Sequence, residues 1–107
     1  MSYKKFYSDY VEHMVRFFLT CPDGIQVREH TKVDVINWKA VQLVWSMCGD
    51  QVKRIMIEYV KQPAPGEKVL IQEKVRTIAN RERLTIDAVW HKIKRFEQCV
   101  AQVRKLI

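Results

Sequence analysis

The sequence predicts an all-α domain, a compact bundle of about five helices with a C-terminal helix-turn-helix and a long last helix. Two observations carry this expectation. Every long apolar pattern repeats with a period near ~3.6 residues, and the three prolines and three glycines fall between those patterns rather than inside them. A chain of 107 residues, 48% hydrophobic and 29% charged, has enough apolar surface to bury one core without a metal or disulfide, and more than disordered chains carry. It is too short for two independent units. We therefore read one domain over 1–107, with a neutral helical scaffold at 1–48 and a basic half at 49–107.

The first helix is expected from Ser2, a suitable cap, to about Thr20. Tyr3, Tyr7, Tyr10, Met14 and Phe17 recur at spacings of four, three, four and three, and Phe6, Val11, Val15 and Phe18 widen that face. Cys21-Pro22-Asp23-Gly24 then supplies a breaker and a turn. The loop that follows holds at most a short extended piece at Ile25–Val27. Thr31 with Asp34 stands at cap spacing for a second helix, although Asp in place of Glu leaves its start free to slip by a few residues. Its apolar face is Val33, Ile36, Ala40, Val41, Val44, Trp45 and Cys48, and Gly49 marks its end.

Asp50 is placed to cap a third helix with Val52, Ile55, Met56, Tyr59 and Val60 on one face, stopped by Pro63-Ala64-Pro65-Gly66. Two helical stretches follow, Glu67–Ala79 and Thr85–Lys105, joined by the polar Asn80-Arg81-Glu82-Arg83. Thr85 is a natural N-cap and Asp87 suits the positive end of the helix dipole. Beyond them Val89, Ile93, Phe96, Val100, Val103 and Ile107 form a seam that buries against the first helix or against a second copy of the chain, as in a homodimer.

Cys21, Cys48 and Cys99 are odd in number and lack C-x-x-C spacing, so we expect free thiols in a reducing cytoplasm and neither zinc nor another metal. No charged start leads into an apolar run with a cleavage site, and no stretch of about 18 apolar residues appears. The expectation is a cytoplasmic protein with no membrane partner.

Charge is segregated along the chain. Residues 1–50 carry six Lys/Arg against six Asp/Glu, while residues 51–107 carry thirteen against six, so the net charge of +7 belongs to the second half. A basic half within one folded unit favours polyanionic partners, of which nucleic acid is the commonest, although a well-solvated helical surface has the same composition.

Within that half, Ile78-Ala79 provides a small contact between helices, Leu84-Thr85 an apolar residue followed by a cap, and Val89 and Ile93 inward anchors. The run Val75-Arg76-Thr77-Ile78-Ala79, then Leu84-Thr85, then Ala88-Val89-Trp90 and Ile93-Lys94-Arg95, resembles the helix-turn-helix of sigma factor region 4 and its small phage relatives, the late-operon or autolysin-regulatory transcription activators. Tyr7-Ser8-Asp9-Tyr10-Val11-Glu12-His13-Met14-Val15-Arg16-Phe17 and the pair Asn37-Trp38 are similar to small sigma-like proteins of phages and mobile elements. The resemblance implies a DNA-binding transcription regulator that docks on double-stranded DNA, with RNA polymerase as a further partner and the nucleoid of a bacterial host as its place of work. One position departs from the pattern. Arg83 stands where the turn most often has Gly, so either Arg83 itself adopts a less comfortable backbone or the turn is rebuilt and longer, for instance with Asn80 in the left-handed conformation.

The front of the last helix is then Ile86, Asp87, Trp90, His91, Lys94 and Arg95, with Thr85 at its cap and Arg76, Arg81 and Arg83 toward neighbouring backbone. Lys94 and Arg95 are the donors suited to phosphates or guanine edges. Trp90 lies beside the inward seam, where a core or rim role competes with base stacking. Catalysis is not expected: His13, His30 and His91 are scattered, and Gly24, Gly49 and Gly66 are isolated helix stops rather than a phosphate loop. Nor is a cofactor. The competing reading is a non-catalytic helical module for protein interaction or self-association, supported by the aromatic first helix.

Overall fold

A computed structural model describes residues 4–21 and 23–107. The chain is all-helical over these residues: α1 (Ser8–Thr20), α2 (Lys32–Met47), α3 (Asp50–Val60), α4 (Ile71–Glu82) and α5 (Ile86–Val103), with a single 3₁₀ turn at Val27–Glu29 between α1 and α2. That turn takes Val27 from the extended piece expected at Ile25–Val27, while Gln26 before it is extended (φ −85°, ψ 104°). The Ser2 cap, Tyr3 and the Pro22 breaker lie outside the described residues.

α5 is the hub, packing against all four other helices. Its inward face, Val89, Ile93, Phe96, Val100 and Ala101, is buried together with Val11, Met14, Val15 and Phe18 of α1, Val41 and Val44 of α2, Ile55 and Met56 of α3, and Val75 and Ile78 of α4. The neutral and basic halves thus share one core. Each fully buried Val or Ile stabilises it by roughly 1.5–3 kcal/mol relative to an exposed position.

Local chemistry moves several boundaries. α1 begins at Ser8 rather than near Ser2 because Lys5–Ser8 closes a turn: the Ser8 N–H donates to Lys5 O (3.0 Å) and the Lys5 N–H to Ser8 Oγ (2.9 Å). α2 starts as expected, with Thr31 Oγ1 accepting from the Asp34 N–H. Its buried face, however, is Val35, Asn37, Trp38, Ala40, Val41 and Val44, which leaves Val33 and Ile36 exposed. The large Trp38 side chain decides the rotation, since its indole N–H finds an acceptor inside, Cys21 O at 2.9 Å. Asn37 follows it inward, donating to Tyr10 Oη at 2.9 Å and accepting from Arg104 Nε at 2.6 Å.

Gly49, not Asp50, occupies the cap position of α3, and Asp50 is its first residue. α4 starts at Ile71 instead of Glu67 because Glu67 closes the preceding turn, its N–H donating to Ala64 O (2.9 Å) and its carboxylate accepting from the Ala64 N–H (3.1 Å). α4 also runs on through Asn80, Arg81 and Glu82.

Of the two alternatives for this turn, the rebuilding around Asn80 is absent, since Asn80 stays within α4. Arg83 itself takes the left-handed conformation (φ 57°, ψ 44°), so that the Leu84 N–H reaches back to Ala79 O at 2.9 Å and caps α4. The same device ends α5: Lys105 has φ 61° and the Leu106 N–H donates to Ala101 O at 2.8 Å. Both leucines are half-buried against the core, and this anchoring offsets the roughly 1–2 kcal/mol that a side chain pays in that conformation. The expected seam of α5 holds through Val100 but not beyond, since Val103 and Ile107 are exposed.

Candidate nucleic-acid interface

Only Arg83, Leu84 and Thr85 separate α4 from α5, and Thr85 Oγ1 accepts from the Ala88 N–H to fix the start of the second helix. Val89 and Ile93 face inward and are fully buried. With a period of ~3.6 residues, the opposite face of α5 must present Asp87, His91, Arg95, Gln98 and Gln102, and all five are exposed. Lys92 and Lys94 flank this row, half-buried along their stems. The row forms an open recess of about 770 Å³ lined entirely by α5 residues, His91, Lys94 and Arg95 among them. It is an outer helix surface rather than an enclosed cavity.

The structure separates the sequence-predicted residues into groups. Thr85, Ile86, Asp87, His91 and Arg95 are exposed on the first half of α5, with Lys94 beside them, and Arg76 and Arg83 are exposed on α4 and the turn. Trp90 is turned aside: its ring packs edge-on against Tyr59 of α3, centroids 5.8 Å apart, so it serves the α3–α5 contact. Arg81 is committed elsewhere. Its guanidinium pairs with Glu82 at 3.2 Å and Glu58 at 3.6 Å, and Arg54 of α3 holds the same Glu82 carboxylate at 2.9 Å. The Arg54 hydrogen bond keeps Glu82 below the usual carboxylate range.

Part of the positive charge is therefore structural, which composition could not reveal. The last carbonyls of α3 have no intrahelical partners. Arg16 Nε of α1 donates to Val60 O (2.7 Å), while Lys74 Nζ of α4 donates to Tyr59 O (3.0 Å) and Lys61 O (2.7 Å). Burial lowers the Lys74 pKa, with Arg16 adding to the effect. Arg104 is spent on Asn37. By contrast Arg76, Arg83, Lys92, Lys94 and Arg95 have no acidic partner among the described residues.

Among the described residues no group of three or more His, Cys, Asp or Glu side chains is placed to hold a metal ion, and no helix is long and apolar enough to cross a membrane. Cys21, Cys48 and Cys99 are free and half-buried, and burial pushes the Cys48 thiol up, away from the reactive thiolate. No protein-family model, curated protein or solved structure matches this chain.

Proposed function

We propose that the protein binds duplex DNA as a transcription regulator, with the first half of α5 entering the major groove. The observation that carries this reading is the set of cations without acidic partners on a helix capped after a three-residue turn and on the elements before it: Lys94 and Arg95 together on α5, Arg83 in the turn and Arg76 on α4. The acids of the same half are drawn away, Glu58 and Glu82 by Arg81 and Arg54. Lys94 and Arg95 then donate to phosphates or guanine edges, while His91 and Ile86 reach base edges. Such a regulator works in the cytoplasm of its host, where RNA polymerase is the protein partner the role calls for.

Replacing Lys94 and Arg95 together by Ala tests the reading. Melting should change by less than about 0.5 kcal/mol per site, as for exposed positions generally. Affinity for duplex DNA, measured by fluorescence anisotropy at several salt concentrations, should drop, and the salt slope should flatten by about one unit per lost phosphate contact. A folded double variant that binds as tightly as the parent at every salt concentration rejects the recognition helix.

A further inference from the structure

We propose that the outer face of α2, with the adjoining flank of α5, docks an amphipathic helix that carries acidic residues and belongs to another protein. The core rotation of α2 leaves apolar side chains in solvent: Val33, Ile36, Leu43 and Met47 are 49%, 44%, 47% and 70% exposed, in two pairs separated by the buried Ala40. Their spacing of three, seven and four residues keeps the two pairs on one side of a helix of 16 residues, ~24 Å long, with the small buried Ala40 as the floor between them. Apolar residues scattered singly need no explanation, but two exposed pairs aligned on one helix side at coiled-coil spacing are the pattern a partner helix reads.

This side of α2 opens onto a cleft of about 380 Å³ between the end of α2 and α5, where Val44, Met47 and Cys48 face Phe96 and Cys99. Exposed Val103 continues the apolar strip along α5. This concave shape suits the side chains of an inserted helix better than the flat face of a bilayer.

Charge selects the occupant. Lys92 and Arg95 line the α5 side of the cleft and no acidic residue lines it. Lys32 and Lys39, both exposed, border the apolar pairs on their other side by helical phase. Asp50, just beyond Gly49, has Lys53 one turn away on α3. Basic rims on both sides of an apolar floor complement a helix with an apolar stripe and acidic flanks. They disfavour a second copy, because antiparallel pairing of two α2 faces centred on Ala40 sets Lys39 against Lys39 of the other copy.

The test uses the full chain and synthetic amphipathic helices of one fixed leucine seam, with flanks graded from all Glu to all Lys. Anisotropy of the labelled peptides should show binding that strengthens steadily with acidity, by about tenfold or more between the extremes. Leu43→Asp, and Leu43→Gln as the milder change, should remove that binding by about tenfold while melting stays near the parent. Lys39→Glu should reduce the preference for Glu flanks. Binding indifferent to flank charge or to position 43, or no binding by any peptide, overturns the proposal. So does a dimer seen in sedimentation that Leu43→Asp abolishes, which would give the face to a second copy. Adsorption to phosphatidylserine vesicles lost in Leu43→Asp would give it to a membrane surface.

Discussion

The carboxyls of Glu12 and Glu97 meet inside the junction of α1, α3 and α5, where both residues are buried. As two carboxylates they leave Glu12 Oε2, Glu97 Oε2 and the nearby Tyr59 hydroxyl without partners among the described residues. Placing one proton on Glu97 resolves the conflict, since Glu97 then donates to Glu12, and Tyr59 can donate there as well. Lys4 Nζ, 3.3 Å from Glu12 Oε1, balances the remaining charge. Burial first, and then Glu12, push the Glu97 pKa up to about 9, with Lys4 and Ser8 opposing; Tyr7 and Tyr59 also face the pair, and burial raises both phenols.

That proton makes stability depend on pH. The folded chain holds it up to about pH 9, whereas an unfolded Glu releases it near 4.5. The contribution is therefore full below the lower value, declines as pH rises by at most about 1.4 kcal/mol per unit, and is gone above the upper one. Glu97→Gln keeps a donor without a titrating proton, so its melting temperature should exceed the parent's increasingly from pH 5 to 9. Parallel melting curves for the two proteins across that range would show that Glu97 is ionised in the fold.

Arg83→Gly should raise stability by about 1 kcal/mol, because Gly adopts the left-handed conformation without the side-chain penalty, less its own entropy cost. Duplex DNA binding should weaken in the same variant through the lost cation. Melting and anisotropy on one preparation check both signs; a protein destabilised by the change would mean the Arg83 side chain contributes contacts that outweigh its strain.

Val100 and Val103 differ by one helical turn and should differ sharply in tolerance. Val100 is fully buried, so Val100→Asp places an unpaired carboxylate in the core and should cost about 3 kcal/mol or more. Val103→Asp, at an exposed site, should cost under about 0.5 kcal/mol. Denaturant titrations showing equal losses would contradict the observed end of the seam.

The helical class, the Thr31 and Thr85 caps and the inward face of α5 through Val100 were all legible in the sequence, because each depends on residues within a few positions of one another. The Arg83 turn was legible only as a conflict. Local chemistry flagged the missing glycine, but the anchoring of Leu84 in a core assembled from other helices decided that Arg83 would bear the strain.

Sequence by itself determined that five helices form, roughly which segments they occupy and that one half is basic, since periodicity, caps and charge are properties of the string. Tertiary structure alone decided which charges are free and which apolar residues are covered. Arg81, Lys74 and Arg104 look like Lys94 and Arg95 in the sequence, yet the first three meet carboxylates or carbonyls contributed by positions far along the chain. Val33 and Ile36 look like Val41 and Val44, yet the burial of Trp38 turns them out to solvent. Partnership is a matter of distance in space, which a helical period cannot encode, and so the candidate DNA surface and the open face of α2 emerge only when five helices pack together.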